Sequence, residues 1–202
     1  MSLHRRIQRA RKLDPACGWH HRGYLPHFSG SDFVQFITYR LADSLSNLFL
    51  SQLKFKLDCG QISEIDYHRA LERELDNGPG ANFLKHPEVA AVVEENLLRF
   101  DAEKYQLLHW VIMPNHVHIL IRPINDYSLS SIMHSMKSFT ANRANTILER
   151  TGRFWSVEYF DRYIRSEAHY NNVVTYIHSN PVKAGLCEHS GDWQFGCDNK
   201  HG

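Results

Sequence analysis

Tyr105-Gln106-Leu107-Leu108-His109-Trp110-Val111-Ile112-Met113-Pro114-Asn115-His116-Val117-His118-Ile119-Leu120-Ile121-Arg122 is the stretch on which the fold turns. Residues 105–113 and 116–122 are each long enough, and rich enough in β-branched and aromatic side chains, to form a strand. Pro114-Asn115 between them marks a tight turn, so the pair predicts a hairpin. Successive strand side chains point to opposite faces. His116 and His118 therefore share one face, while Val117 and Ile119 point into packing.

Upstream of the hairpin, residues 33–41 alternate and read as a strand. Asp43 is placed to cap a helix through Leu45, Leu48, Phe49, Leu53 and Leu57, which Cys59-Gly60 ends. A second helix is predicted from about Ser63, with residues 64–75 presenting charge on its outer face. Asn77-Gly78-Pro79-Gly80 breaks the chain, and a third helix starts near Pro87 and carries Val89, Val92, Val93, Leu97 and Leu98. Downstream, residues 129–148 predict the longest helix, with Ile132, Met136, Phe139, Arg143 and Ile147 along one packing stripe. Residues 154–165 read as extended and 167–180 as helical, with Pro181 at or just past that helix end. This order predicts an α+β fold in which one antiparallel sheet is covered on one face.

Residues 19–202 are expected to form one domain with a helical insertion at about 43–100, preceded by a polar, basic and mobile arm over residues 1–18. Residues 19–27 read as an aromatic and basic loop punctuated by Gly and Pro. At 202 residues, 43% hydrophobic and 22% charged, the chain can bury its core without disulfides. Its apolar runs fall far short of the roughly 20 residues a membrane helix needs, and no secretory signal is evident, so a cytoplasmic protein is expected. Cys17, Cys59, Cys187 and Cys197 are scattered without a Cys-x-x-Cys pair, and reduced thiols are the expectation. The net charge of +1 hides an asymmetry. Residues 1–30 carry six basic side chains against Asp14, residues 54–104 carry eleven acidic against seven basic, and residues 105–186 return to eight basic against five acidic. The segments flanking the histidines are thus positive, as a phosphate-binding surface requires.

Tyr176-Ile177-His178-Ser179-Asn180-Pro181 adds the second half of the chemistry. Positions i and i+4 lie on one helix face, so the Tyr176 phenol and the Asn180 amide point the same way. Two imidazoles and a carboxamide oxygen suit a divalent ion such as Mg²⁺ or Mn²⁺, with positions open for substrate oxygens. A tyrosine beside such an ion is a candidate nucleophile toward a phosphodiester. The same residues also allow a plainer reading, with Tyr176 as an amphipathic core residue and Asn180 as a helix cap.

The two motifs, Pro114-Asn115-His116-Val117-His118-Ile119-Leu120 and Tyr176-Ile177-His178-Ser179-Asn180-Pro181-Val182-Lys183-Ala184-Gly185-Leu186, resemble those of the single-tyrosine HUH transposases. The branch most similar is that of the bacterial REP-associated tyrosine transposases. The likeness continues through Arg22-Gly23-Tyr24-Leu25-Pro26-His27, Tyr39-Arg40-Leu41-Ala42-Asp43-Ser44-Leu45, Met136-Lys137-Ser138-Phe139-Thr140-Ala141 and Phe154-Trp155-Ser156-Val157-Glu158-Tyr159-Phe160-Asp161-Arg162. It implies a ferredoxin-like α+β fold, the histidine pair on the central strand and the tyrosine on a facing helix. It also implies metal-dependent cleavage and rejoining of single-stranded DNA at hairpin-forming repeats through a 5′-phosphotyrosine. By motif match, Tyr176 is the nucleophile, His116 and His118 are metal ligands, and Asn180 is the third ligand. The chain departs from the branch at its end, where Asp192-Trp193-Gln194-Phe195-Gly196-Cys197 stands in place of an aromatic and serine-rich tail.

Arg22, Tyr24 and His27, with Lys137, Arg162 and Arg165, are candidate DNA contacts, since cations pair phosphates and aromatic rings stack unpaired bases. Two other readings stay open at this stage. One is a domesticated hairpin-binding protein without turnover, and the other is a metallohydrolase that uses bound water in place of the tyrosine. Monomeric and homodimeric arrangements are both compatible with the resemblance.

Overall fold

The computed structural model describes residues 19–21, 26–28 and 33–200. Two short strands, β1 (Trp19–His21) and β2 (Pro26–Phe28), pair antiparallel where the sequence suggested a loop. β3 (Gln35–Leu41) is followed by α1 (Asn47–Asp58), α2 (Glu64–Asn77) and α3 (Pro87–Arg99). The predicted hairpin is present as β4 (Tyr105–Ile112) and β5 (His116–Pro123). Then come α4 (Leu129–Ile147), β6 (Trp155–Tyr163) and α5 (Glu167–Lys183).

β3 to β6 form a four-stranded antiparallel sheet in the order β4-β5-β3-β6. With α3 and α4 as the principal crossover helices, this is the β-α-β-β-α-β order of the ferredoxin-like fold. The chain is α+β, with the histidine strand β5 in the interior of the sheet, as expected.

The alternation of β5 divides the core in two. Val117, Ile119 and Ile121 are fully buried on one face, packed with Ile37, Tyr39 and Leu41 of β3. α3 covers that face with Val89, Ala90, Val93 and Leu97, and α4 with Leu129, Ile132, Met133 and Met136. The opposite face is covered too, which corrects the expectation of helices on one face. Val173 and Ile177 of α5 pack there on Phe36, Val111, Met113 and Leu120. Only one position of β5, Arg122, is not buried. At about 25 cal/mol per Å² of apolar surface, burial of a side chain such as Ile177 stabilises the α5 contact by about 2 kcal/mol.

Three local expectations also change. Ser46, not Asp43, caps α1, accepting from the Phe49 N–H at 3.1 Å. Asp43 instead pairs with Arg150 at 3.8 Å. On α4 the packing stripe runs through Leu129, Ile132, Met136, Thr140 and Ala144, while Phe139 is 45% exposed. Pro181 lies inside α5, which runs on to Lys183, and both Asn180 and Pro181 are buried. Burial of this turn against β5 and β4 outweighs the bias that proline imposes on the residue before it. Asn180 therefore does not cap the helix.

After α5, the chain returns along β4. The N–H of Ile112 donates to the Phe195 carbonyl at 2.9 Å, and the Trp193 indole donates to the Ile112 carbonyl at 2.9 Å. No helix among the described residues is long and apolar enough to cross a membrane.

Candidate active site

The Pro114-Asn115 turn sets the first imidazole. The Asn115 side-chain N–H donates to the Leu75 carbonyl at 2.7 Å, which leaves its Oδ1 facing His116 Nδ1, also at 2.7 Å. An amide oxygen only accepts, so Nδ1 of His116 carries the proton and Nε2 keeps its lone pair. The second imidazole is held from the neighbouring strand. Thr38 lies directly across from His118 in the β3–β5 register, and its hydroxyl is 2.8 Å from His118 Nδ1. Phe36 stacks on the His118 ring with centroids 5.5 Å apart.

Both Nε2 atoms thus turn inward, 3.0 Å from each other. Burial pushes the His116 pKa down to about 3 and that of His118 well below the usual histidine value. Two neutral imidazoles facing each other is the state in which histidine ligates a metal.

α5 brings up the rest. The Tyr176 hydroxyl is 3.4 Å from His118 Nε2, and Asn180 Nδ2 is 3.2 Å from the same atom. Asn180 Oδ1 is buried with no hydrogen-bond partner among the described residues. An orphaned buried carbonyl costs about 1–3 kcal/mol. Rotation of the amide would turn this oxygen toward the imidazole pair, completing a donor set of two nitrogens and one oxygen. These residues fit a hard or borderline divalent cation.

The tyrosine has partners that sequence reasoning missed. Glu72 of α2, on the helix face expected to point outward, lies close enough to the hydroxyl to act on its charge. Burial, with the nearby carboxylates of Glu72 and Asp76, raises the Tyr176 pKa far above that of free tyrosine. Burial likewise raises the Glu72 carboxyl, and it pushes Asp76 up to about 6. The Lys183 ammonium lies 5.4 Å from the Tyr176 ring centroid. Asn115, Thr38 and Glu72 could not be assigned from motif spacing, because each acts only through strand register or helix docking. A cavity lined by Asp76, Lys85, Asn115, His116 and Leu186 opens beside the first histidine.

His116, His118, Tyr176 and Asn180 are therefore brought together within one chain. The candidate DNA contacts are not all brought to them. Arg162 lies opposite Phe36 in the β3–β6 register, on the histidine face and close enough to Glu72 to influence its charge. The Arg165 guanidinium lies 5.2 Å from the Tyr163 ring centroid at the end of β6. Lys137 is on α4, across the sheet from Tyr176, where it donates to the Val157 carbonyl at 2.8 Å. Burial pushes its pKa down to about 8. Arg22 and Tyr24 lie outside the described residues, as does the arm over residues 1–18, and His27 is described only as part of the β2 backbone.

Comparison with known proteins agrees with this geometry. Residues 86–180 match the family described as transposase IS200-like, a span that holds both histidines, Tyr176 and Asn180. A REP-associated tyrosine transposase of Escherichia coli strain K12 is 28% identical over 92 residues, 45% of this chain and 53% of that relative. The chain thus matches about half the length of that curated relative. A solved structure described as a REP-associated tyrosine transposase bound to a REP hairpin superposes with a TM-score of 0.57. The superposition covers 89% of this chain and 84% of the other at 18% sequence identity, which establishes a shared fold. The resemblance carried by the two motifs agrees with the family match and with the curated relative, and the superposition adds the shared fold.

Proposed function

We propose, from a chain that is similar to the IS200-like transposases across residues 86–180, that this protein cleaves and rejoins single-stranded DNA at hairpin-forming repeats. Tyr176 is the nucleophile. The observation that carries the reading is the Tyr176 hydroxyl 3.4 Å from Nε2 of a buried, neutral histidine pair.

His116, His118 and Asn180 would hold Mg²⁺ or Mn²⁺, and the ion, when bound, would supply positive charge at the scissile phosphate. The remaining chemistry belongs to the chain. Tyr176 is protonated at neutral pH, because burial and two neighbouring carboxylates oppose the phenolate. Its proton therefore has to leave as the oxygen attacks, and Glu72 is a carboxylate beside the hydroxyl. A buried carboxylate with a raised pKa is a stronger base than one in water. The phenol oxygen forms a bond to phosphorus, the bond from phosphorus to the 3′ oxygen breaks, and the proton passes to Glu72. The products are a 5′-phosphotyrosine and, after protonation, a free 3′-hydroxyl. Attack by a second 3′-hydroxyl reverses these steps and joins new ends.

In this reading residues 19–202 are one catalytic domain, with α1 and α2 its helical insertion ahead of the crossover helix α3, and residues 1–18 are a basic DNA-binding arm. Arg162 and Arg165 contact DNA phosphates on the histidine side. Arg22, Tyr24, His27 and Lys137 contact the strand further out. The test is mass detection of a DNA adduct on Tyr176 after incubation with hairpin DNA and Mn²⁺.

A further inference from the structure

A second cluster of ligand-type side chains lies on the other flank of α5. His109 of β4, His178 of α5 and Cys197 of the C-terminal segment bring their donor atoms within 4.8 Å of one another. His109 Nδ1 is 2.8 Å from His178 Nε2, and Cys197 Sγ is 3.6 Å from His178 Nε2 and 3.9 Å from His109 Nδ1. Bonds of about 2.0–2.1 Å from zinc to nitrogen and 2.3 Å to sulfur give tetrahedral donor separations of about 3.3–3.8 Å. The two distances to sulfur are within about 0.4 Å of that spacing, and the two imidazole nitrogens would move apart by about 0.5 Å to admit the ion.

Each donor also has the outer partner that metal ligands require. The outer N–H of His178 donates to the Asp198 carboxylate. The Tyr170 hydroxyl is 3.2 Å from the outer nitrogen of His109. The Trp110 N–H donates to Cys197 Sγ at 3.4 Å. Such partners fix which imidazole nitrogen faces the ion and stabilise the thiolate.

We infer that His109, His178 and Cys197 form a second metal site, selective for a thiolate-preferring ion of the zinc class. It is chemically distinct from the nitrogen-and-oxygen donor set of His116, His118 and Asn180, which suits harder ions. Binding displaces the thiol proton to solvent, ties α5 to β4 and to the C-terminal segment, and leaves one position of a tetrahedral ion to water. Because α5 carries Tyr176, the site fixes the helix that presents the hydroxyl. The ligands are 69 and 19 residues apart in sequence, and for that reason the scattered cysteines gave no sign of a metal.

The test uses the full-length chain, stripped with a chelator and titrated with Co²⁺. The expected result is a sulfur-to-cobalt charge-transfer absorption that saturates at a single equivalent. It should persist when His116 and His118 are both changed to alanine and vanish in Cys197→Ser. As a control free of variants, zinc should slow alkylation of Cys197 by about tenfold or more while leaving that of the exposed Cys59 unchanged. Absence of the absorption in the unaltered chain, its survival in Cys197→Ser, or its loss with the histidine pair would overturn the inference. Equal alkylation of Cys197 with and without zinc would do the same, and would leave a hydrogen-bonded His-His-Cys cluster.

Discussion

The Glu72 carboxyl of α2 lies beside the Tyr176 hydroxyl of α5, on the histidine face of the sheet. A carboxylate in this position can take the phenol proton, whereas a carboxamide can only hold the hydroxyl in place. Glu72→Gln should therefore lower single-turnover cleavage by about 10²-fold or more and leave hairpin binding unchanged. Comparable loss of binding would instead assign Glu72 to packing of α2 against α5.

Asn115 and Thr38 orient the two imidazoles from outside. Loss of such partners typically weakens metal binding by about 10–100-fold. Asn115→Ala and Thr38→Val should each weaken Mn²⁺ binding to that extent, as measured by calorimetric titration. Wild-type affinity in both variants would separate these residues from metal binding.

Two buried histidines and the half-buried His68 predict a pH dependence of stability. Burial lowers His68 to about 4, His116 to about 3 and His118 well below the usual 6.5. Between 6.5 and those values the unfolded chain binds more protons than the folded one. Their contribution is thus fully present above 6.5 and is lost as pH falls through the folded values. Each histidine contributes up to about 1.4 kcal/mol per pH unit within its window. With a chelator present, urea unfolding midpoints should fall from neutral pH to about pH 5, and less steeply in His68→Gln. Identical slopes for this variant and the unaltered chain would contradict the assignment.

Gly80 packs against the loop after β3 so closely that an added Cβ would lie 2.0 Å from the Ser44 carbonyl oxygen. Because that obstacle is backbone, it cannot simply turn aside. Gly80→Ala should destabilise the chain by about 1–3 kcal/mol, visible as a lower thermal midpoint. An unchanged midpoint would mean the loop relaxes freely.

Much of this molecule was legible in its sequence because local patterns and tertiary packing agree. The Pro114-Asn115 turn, the His116 and His118 alternation and the one-turn spacing of Tyr176 and Asn180 all hold in the fold. What was illegible depends on partners distant in sequence. β5 carries two polar residues on one face, and only the docking of α5 and α2 shows why that face is dry. Glu72 looks like any surface charge on α2 until the helix is placed over Tyr176. Ser46 rather than Asp43 caps α1 because the first turn begins at Asn47, immediately after it. His109, His178 and Cys197 lie on three separate segments, and no motif connects them.

The proposed reaction requires Tyr176 to form a covalent bond to DNA. Single-stranded hairpin DNA incubated with the protein and Mn²⁺, then digested and weighed by mass spectrometry, tests it most directly. The expected product is a phosphodiester-linked nucleotide on the Tyr176 peptide, absent from Tyr176→Phe, which should still bind the hairpin. Cleavage that continues in Tyr176→Phe, with no adduct on the unaltered chain, would contradict it and assign the chemistry to water.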